Sequence, residues 1–244
     1  MKKTIFLTLG AAALFCLSQA KAQMLLINEV YPGGGSSSAT AAYTRDFVEL
    51  YNTSATPFSL AGYALQYSAA GATSDFTGTI VSFGTGSIIG GNDYLSIYTG
   101  TAGTGGATLT AGTGAGSVTY VAPANSASLA AASGSVRLIN LSTNVVLDLV
   151  GYGTITASTL NPAPTRVEGT AAATPTSIAV SLNRTNFVDT NNNAADFTSM
   201  TPSPNAGTTS VVFAGTVPEP STYAMMGLGI FGMFAMLRAR RRTA

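Results

Sequence analysis

Histidine and tryptophan are absent from the 244 residues, and there is a single cysteine. Without histidine there is no imidazole for a general base, a Ser-His-Asp triad or a His-ligated metal. The cysteine, Cys16, lies in an N-terminal apolar run, so the rest of the chain offers neither a disulfide framework nor a thiolate zinc site. Charge is scarce as well. Asp, Glu, Lys and Arg make up 9% of the residues, against about a quarter in an ordinary globular protein. Exposed amphipathic helices need charged outer faces, so few are expected. Disorder driven by high net charge is excluded too.

The formal net charge of +1 conceals an asymmetry. Between positions 23 and 217 there are nine acids but only Arg45, Arg137, Arg166 and Arg184 as bases, a net of −5 with no lysine. Such a surface repels phosphate backbones, so nucleic acid is not an expected partner. Apart from Lys21, the other basic residues sit at the two extremities.

At the N-terminus, Lys2 and Lys3 precede an apolar run from Ile5 to Leu17, and Ala20-Lys21-Ala22 then leads into Gln23. This is the layout of a secretory signal peptide, cut after Ala22. Bulky Phe15 before Cys16 argues against a lipoprotein. At the other end stand Val217-Pro218-Glu219-Pro220, an apolar stretch over 223–237, and Arg238, Arg240, Arg241 and Arg242. The prolines block helix propagation into the stretch. Its fifteen residues fall short of the ~20 that cross hydrocarbon comfortably, and the arginines stay cytoplasmic. A short transmembrane helix suited to transient retention is expected. The tail resembles the PEP-CTERM sorting signal of Gram-negative bacteria. The resemblance implies an exosortase-like processing protease as partner, removal of the tail, and exopolysaccharide production as the usual setting.

Between the ends, short apolar runs alternate with Gly, Ser, Thr, Asn and Pro. Strands are expected over 25–31, 46–51, 63–67, 79–83, 94–98, 136–140, 145–152 and 178–183. In the second, Val48 and Leu50 share one face and Phe47, Glu49 and Tyr51 the other. In the seventh, Val145, Leu147 and Leu149 line one face while Asp148 points away. Short strands with turn residues between them indicate a β-sandwich or barrel. Residues 99–119 are almost entirely Gly, Thr, Ala and Ser. Such side chains bury little and glycine is costly to order, so a long mobile loop is expected. Residues 201–216, rich in Pro, Ser and Thr, read as a linker.

Several segments resemble the lamin-tail domain, an immunoglobulin-like β-sandwich: Ile27-Asn28-Glu29-Val30, Asp46 to Asn52, Phe58 to Tyr63, Ser135 to Ile139, Val150 to Gly153, Ser181 to Arg184, and Asn193 to Phe197 followed by Pro202, Pro204 and Asn205. Tyr63 stands where that family usually carries tryptophan. The resemblance implies an all-β fold flanked by a signal-peptide helix and the short transmembrane helix. The expected organisation is a signal peptide over 1–22, a sandwich over 23–206 with an insert at 99–119, a linker over 207–216 and the sorting signal over 217–242.

Glu29 and Glu49 fall within strand patterns. We read them as structural acceptors of loop N–H groups, or partners of Arg45 or Arg137, and expect no catalytic residue. Asp189 to Asp196 places oxygens at spacings that partly imitate a calcium loop, but Met200 stands where the closing Glu belongs. The default is a turn, with no metal or cofactor. Three Asn-x-Ser/Thr triplets, at Asn52, Asn140 and Asn183, read as Asn-rich turns. The reading as a whole is a non-enzymatic exported protein. It is held transiently in the inner membrane through 223–237, then reaches the cell surface or extracellular matrix as a structural or adhesive module. Binding of exopolysaccharide through a tyrosine-bearing face, with or without calcium, is the alternative.

Overall fold

The computed structural model describes residues 24–73, 76–156, 163 and 165–215. Twelve strands are found among them. In chain order they are β1 (Leu25–Tyr31), β2 (Asp46–Asn52), β3 (Phe58–Ser59), β4 (Tyr63–Ala69), β5 (Gly78–Ser82), β6 (Ile88–Ile89), β7 (Tyr94–Thr99), β8 (Tyr120–Val121), β9 (Gly134–Asn140), β10 (Val146–Tyr152), β11 (Ser181–Arg184) and β12 (Phe197–Met200). One sheet runs β12-β11-β1-β2-β7-β8, a second runs β10-β9-β4-β5, and β3 with β6 makes a small ribbon. Neighbours are antiparallel except β7 and β8. The two larger sheets stack as an immunoglobulin-like sandwich.

The two-residue alternation read from the sequence decides what enters the core. Val48, Leu50, Leu95 and Ile97 from one sheet meet Leu65, Ile80, Val136, Leu138 and Val150 from the other, all buried. All eight expected strands occur, with small shifts at their ends. Four strands are additional: β3, β6 and β8 have two residues each, too short to carry a period, and β12 has four.

Three expectations need correction. The first concerns 99–119, which lies along the molecule instead of forming a loop clear of it. Thr44 N donates to Ala107 O, Gly103 N to Thr44 O and Gly105 N to Ser36 O. Leu109 and Val118 join Tyr31, Phe47 and Tyr98 in a second cluster on the outer face of the six-stranded sheet. A Cβ at Gly103 or Gly105 would fall inside the backbone of residues 35–38. The small residues here allow backbone to pack on backbone.

The second concerns 207–216. Residues 207–215 are docked on the domain: Val211 exchanges backbone hydrogen bonds with Ile88, and Gly215 N donates to Ser82 O at 2.7 Å. The third concerns β10. Val145 is exposed and Asp148 fully buried, because a bulge between Val146 and Asp148 shifts the register and re-aims the carboxylate.

Gly34 offers a sharp test of these close approaches. A Cβ there would overlap the backbone of Arg45 and Asp46. Gly34→Ala is expected to cost about 1–3 kcal/mol by forcing the loop away. Gly71, whose Cβ would meet nothing within 4 Å, should change by less than about 0.5 kcal/mol on the same substitution. Equal urea midpoints for the two variants would contradict this account.

Candidate functional site

The outer face of the six-stranded sheet carries three buried acids, Glu29, Glu49 and Asp93. Glu29 and Glu49 are cross-strand partners. Glu29 accepts from Ser203 N and Ser203 Oγ, both at 3.0 Å. Glu49 Oε1 accepts from Asn28 Nδ2 at 2.8 Å, and Oε2 from Asn205 N at 2.7 Å. Asp93 accepts from Thr208 N, Thr209 N, Thr209 Oγ1 and Ser210 Oγ. The three carboxylates therefore clip residues 203–210 across the sheet as a strap.

Burial pushes Glu49 up to about 8, and the neighbouring Glu29 charge adds to the rise. Glu29 is raised as well, chiefly by burial. At Asp93 burial also works upward, but the hydrogen bonds from Thr209 and Thr208 outweigh it and hold the group below the usual range. Asp93→Ala should free the amides of Thr208 and Thr209 and cost about 1–3 kcal/mol. Hydrogen exchange at those two amides reports it, and unchanged protection would refute the latch.

A second charged group lies between the sheets. Arg184 Nη2 donates to both oxygens of Asp148, at 2.9 and 2.8 Å, and Nε donates to Ile27 O. Asp148 Oδ2 also accepts from Ile27 N at 2.6 Å. A register shift in β1 between Ile27 and Glu29 accompanies this exchange. Asp189 and Asp196 lie 3.6 and 3.4 Å from Arg184 Nη1, and the guanidinium sits over the Phe197 ring. Burial pushes Asp148 up to about 6, with Arg184 pulling it down, and the two-oxygen contact with the guanidinium is that of an ion pair.

One carboxylate oxygen each from Asp148, Glu168 and Asp189 comes within 4.8 Å of the others, the spacing of a cation site. Arg184 already supplies positive charge to two of these acids. Glu168 is pushed up to about 8 by burial and by the neighbouring Asp148 and Asp189 charges. The Asn-rich loop commits its side chains to its own backbone and to neighbouring segments. Asp196 accepts from Thr190 N and Oγ1, while Asn193 bridges Gly151 N, Glu168 N and Leu149 O. A single helical turn, α1 (Asn193–Asp196), then leads into β12. This is a turn built by its own hydrogen bonds. Asn52 and Asn140 are likewise committed to turns, accepting from Ser54 N and from Ser142 N.

Glu29 and Glu49 do accept from loop N–H groups, but neither pairs with arginine. Arg45 donates to the carbonyls of Gly100 and Ala122, and Arg137 to Gln66. The sequence reading missed the roles of Asp93, Asp148 and Arg184. A lone acid in the apolar run Val146 to Val150 is the one local signal that could have flagged Asp148.

Two surface features complete the inventory. Tyr51 stacks on Phe187 with centroids 4.1 Å apart, and Tyr94 lies 4.7 Å from Tyr51. Phe187 is 39% exposed and has a positive φ of 55°, unusual for a bulky residue. On the edge shared by β5 and β8, a groove of ≈ 340 Å³ is lined by Thr79 to Ser82, Tyr120, Pro123, Asn125, Ser126, Ala214 and Gly215. The described chain ends beside this groove.

The expected signal-cleavage residues Ala20, Ala22 and Gln23 lie outside the described residues. So do the sorting residues Val217, Pro218, Glu219, Pro220, Arg238, Arg240, Arg241 and Arg242, and the apolar 223–237. Among the described residues, no helix is long and apolar enough to cross a membrane. Fold and termini together define an exported immunoglobulin-like β-sandwich joined to a sorting tail. A family model described as Lamin Tail Domain matches residues 18–154, more than half of the chain, and the chain belongs to that family. A model described as a PEP-CTERM protein-sorting motif matches residues 216–242, so the protein is exported and sorted by an exosortase. Neither matched family is a catalytic domain. A search of curated proteins gave no match.

Proposed function

We propose that this is a non-enzymatic structural or adhesive module of the cell envelope or extracellular matrix. Signal peptidase removes 1–22 after Ala22. The tail, from Val217-Pro218-Glu219-Pro220 to Arg242, holds the chain in the inner membrane until an exosortase-like protease releases it. The observation that carries this reading is adjacency: Gly215 is still hydrogen-bonded to the domain, and the sorting match begins at residue 216. The expected N-terminal cut likewise falls two residues before β1. The body needs only to be compact and inert, which suits a sandwich whose mature sequence lacks histidine and cysteine.

Intact mass of the protein from membranes and from the medium tests this. A medium form lacking both ends is expected. A wholly membrane-bound form that keeps Arg238 to Arg242 would sink the proposal.

A second reading, binding of matrix polysaccharide, is favoured by one feature. The Tyr51–Tyr94–Phe187 cluster offers a partly exposed aromatic surface on an acidic body, the kind on which neutral sugars stack. Retention on matrix polysaccharide, with and without a chelator, and its loss in Phe187→Ala, supports that reading. No retention under either condition removes it.

A further inference from the structure

The last described stretch of chain alternates. Val212 packs on the core, whereas Val211 and Phe213 are 41% and 54% exposed. Backbone bonds fix the strap firmly. Gly84 N donates to Phe213 O at 2.6 Å, Phe213 N donates to Ser87 Oγ, and Gly215 N closes on Ser82 O. Gly215, the last described residue, is therefore held at one fixed place, the end of β5.

From there to the apolar stretch beginning at Tyr223 is eight residues. Fully extended, they span at most about 26–29 Å. Headgroups occupy roughly 5–7 Å of that. A domain of this size has a radius of gyration of about 16 Å, hence a diameter near 40 Å. The tether is shorter than the body it holds. While the tail is in the membrane, the exit face stays toward the bilayer.

The charge pattern fits that placement. Segments 76–92, 94–136 and 197–218 contain no Asp, Glu, Lys or Arg. They supply β5, β6, β8 and the strap, which build the exit face. The acid bonded to the strap there, Asp93, is buried and turns its oxygens inward to Thr208, Thr209 and Ser210, so on a body of net −5 this face presents anionic headgroups with little exposed like charge.

We propose that this exit face, centred on Val211 and Phe213, is a lipid-contacting surface that rests on the bilayer headgroups until the tail is cut. The inference rests on the membrane-retention reading above and adds which face of the domain meets the membrane. On release, Phe213 passes from lipid into water.

The absence of tryptophan makes the test clean. Full-length chain carrying Phe213→Trp is reconstituted in phosphatidylethanolamine–phosphatidylglycerol (7:3) vesicles with bromine at the shallow acyl positions. Met200→Trp serves as control. Met200 is 55% exposed, on the edge strand farthest from β8 in the sheet order. At least twofold quenching at 213, with almost none at 200, is expected. Equal quenching, or none at either site in chain that floats with the vesicles, would overturn the lipid-facing assignment alone. Chain that does not float with the vesicles would overturn the retention reading as well. Protection of 213 in native membranes but not in vesicles would assign the face to a protein and likewise overturn a lipid contact.

Discussion

Arg184→Ala is expected to lower the unfolding free energy by about 3–5 kcal/mol, because it strands the fully buried Asp148 carboxylate without its cation. That is a large share of the roughly 5–15 kcal/mol that holds a domain together. The guanidinium ties β11 of one sheet to β10 of the other through Asp148, and holds the β1 bulge through Ile27 O. Arg184→Lys should recover only part of the loss, since an ammonium lacks the fork that meets both carboxylate oxygens. The double replacement Asp148→Leu with Arg184→Met should cost less than Arg184→Ala alone, because the fully buried Asp148 charge is no longer left without a cation, although Asp189 and Asp196 still lose Arg184. Urea denaturation followed by circular dichroism measures all three. A loss below about 1 kcal/mol for Arg184→Ala would show that the pair does not hold the sheets together.

The second large effect is a fall in stability as pH rises. In the folded state Glu49 is pushed up to about 8, so the folded chain holds a proton there that the unfolded chain has released. Stability from this group is complete below about pH 4.5, is lost as pH climbs, and is gone above about 8. A shift of that size corresponds to something on the order of 4 kcal/mol. Proton geometry agrees. Ser96 Oγ has one proton but two oxygens within reach, Glu49 Oε2 at 2.8 Å and Asn205 O at 2.6 Å. As a carboxylate, Glu49 competes with Asn205 O for the Ser96 proton, and protonation of Glu49 would relieve that competition.

Asp46, pushed by burial up to about 7, and Glu168, raised to about 8, act in the same direction. Asp93, held low, acts oppositely and only in strong acid. Urea midpoints should therefore fall between pH 5 and pH 9, and Glu49→Gln, the neutral isostere, should flatten the decline. A Glu49→Gln variant with the slope of the parent would discard this account.

Much of the sandwich was legible because strand alternation is a local property. Val48 and Leu50 against Phe47 and Glu49 reveal which side of β2 enters the core. Glu49 was legible as a structural acid for the same reason, since a carboxylate in an apolar strand needs donors. Its donor Asn205 lies 156 positions away, and nothing local names it. The 99–119 segment misled because small residues leave no period, and glycine serves close approach as readily as it serves flexibility. Asp148 misled because a bulge breaks the two-residue rule that placed it.

The order of residues alone determined the basic ends, the Pro-Glu-Pro tail, eight of the twelve strands and the lack of histidine or cysteine chemistry in the body. Each of these depends on composition or on neighbours a few positions apart. Tertiary structure alone decided that the outer sheet face is covered by two segments that look like loop and linker. It also decided that Asp148 meets Arg184, 36 positions on, and that Gly215 is tied to Ser82 at the end of β5. Those outcomes depend on which distant backbones come close enough to exchange hydrogen bonds, and on the buried carboxylates that only the packed sheets bring within reach of their donors.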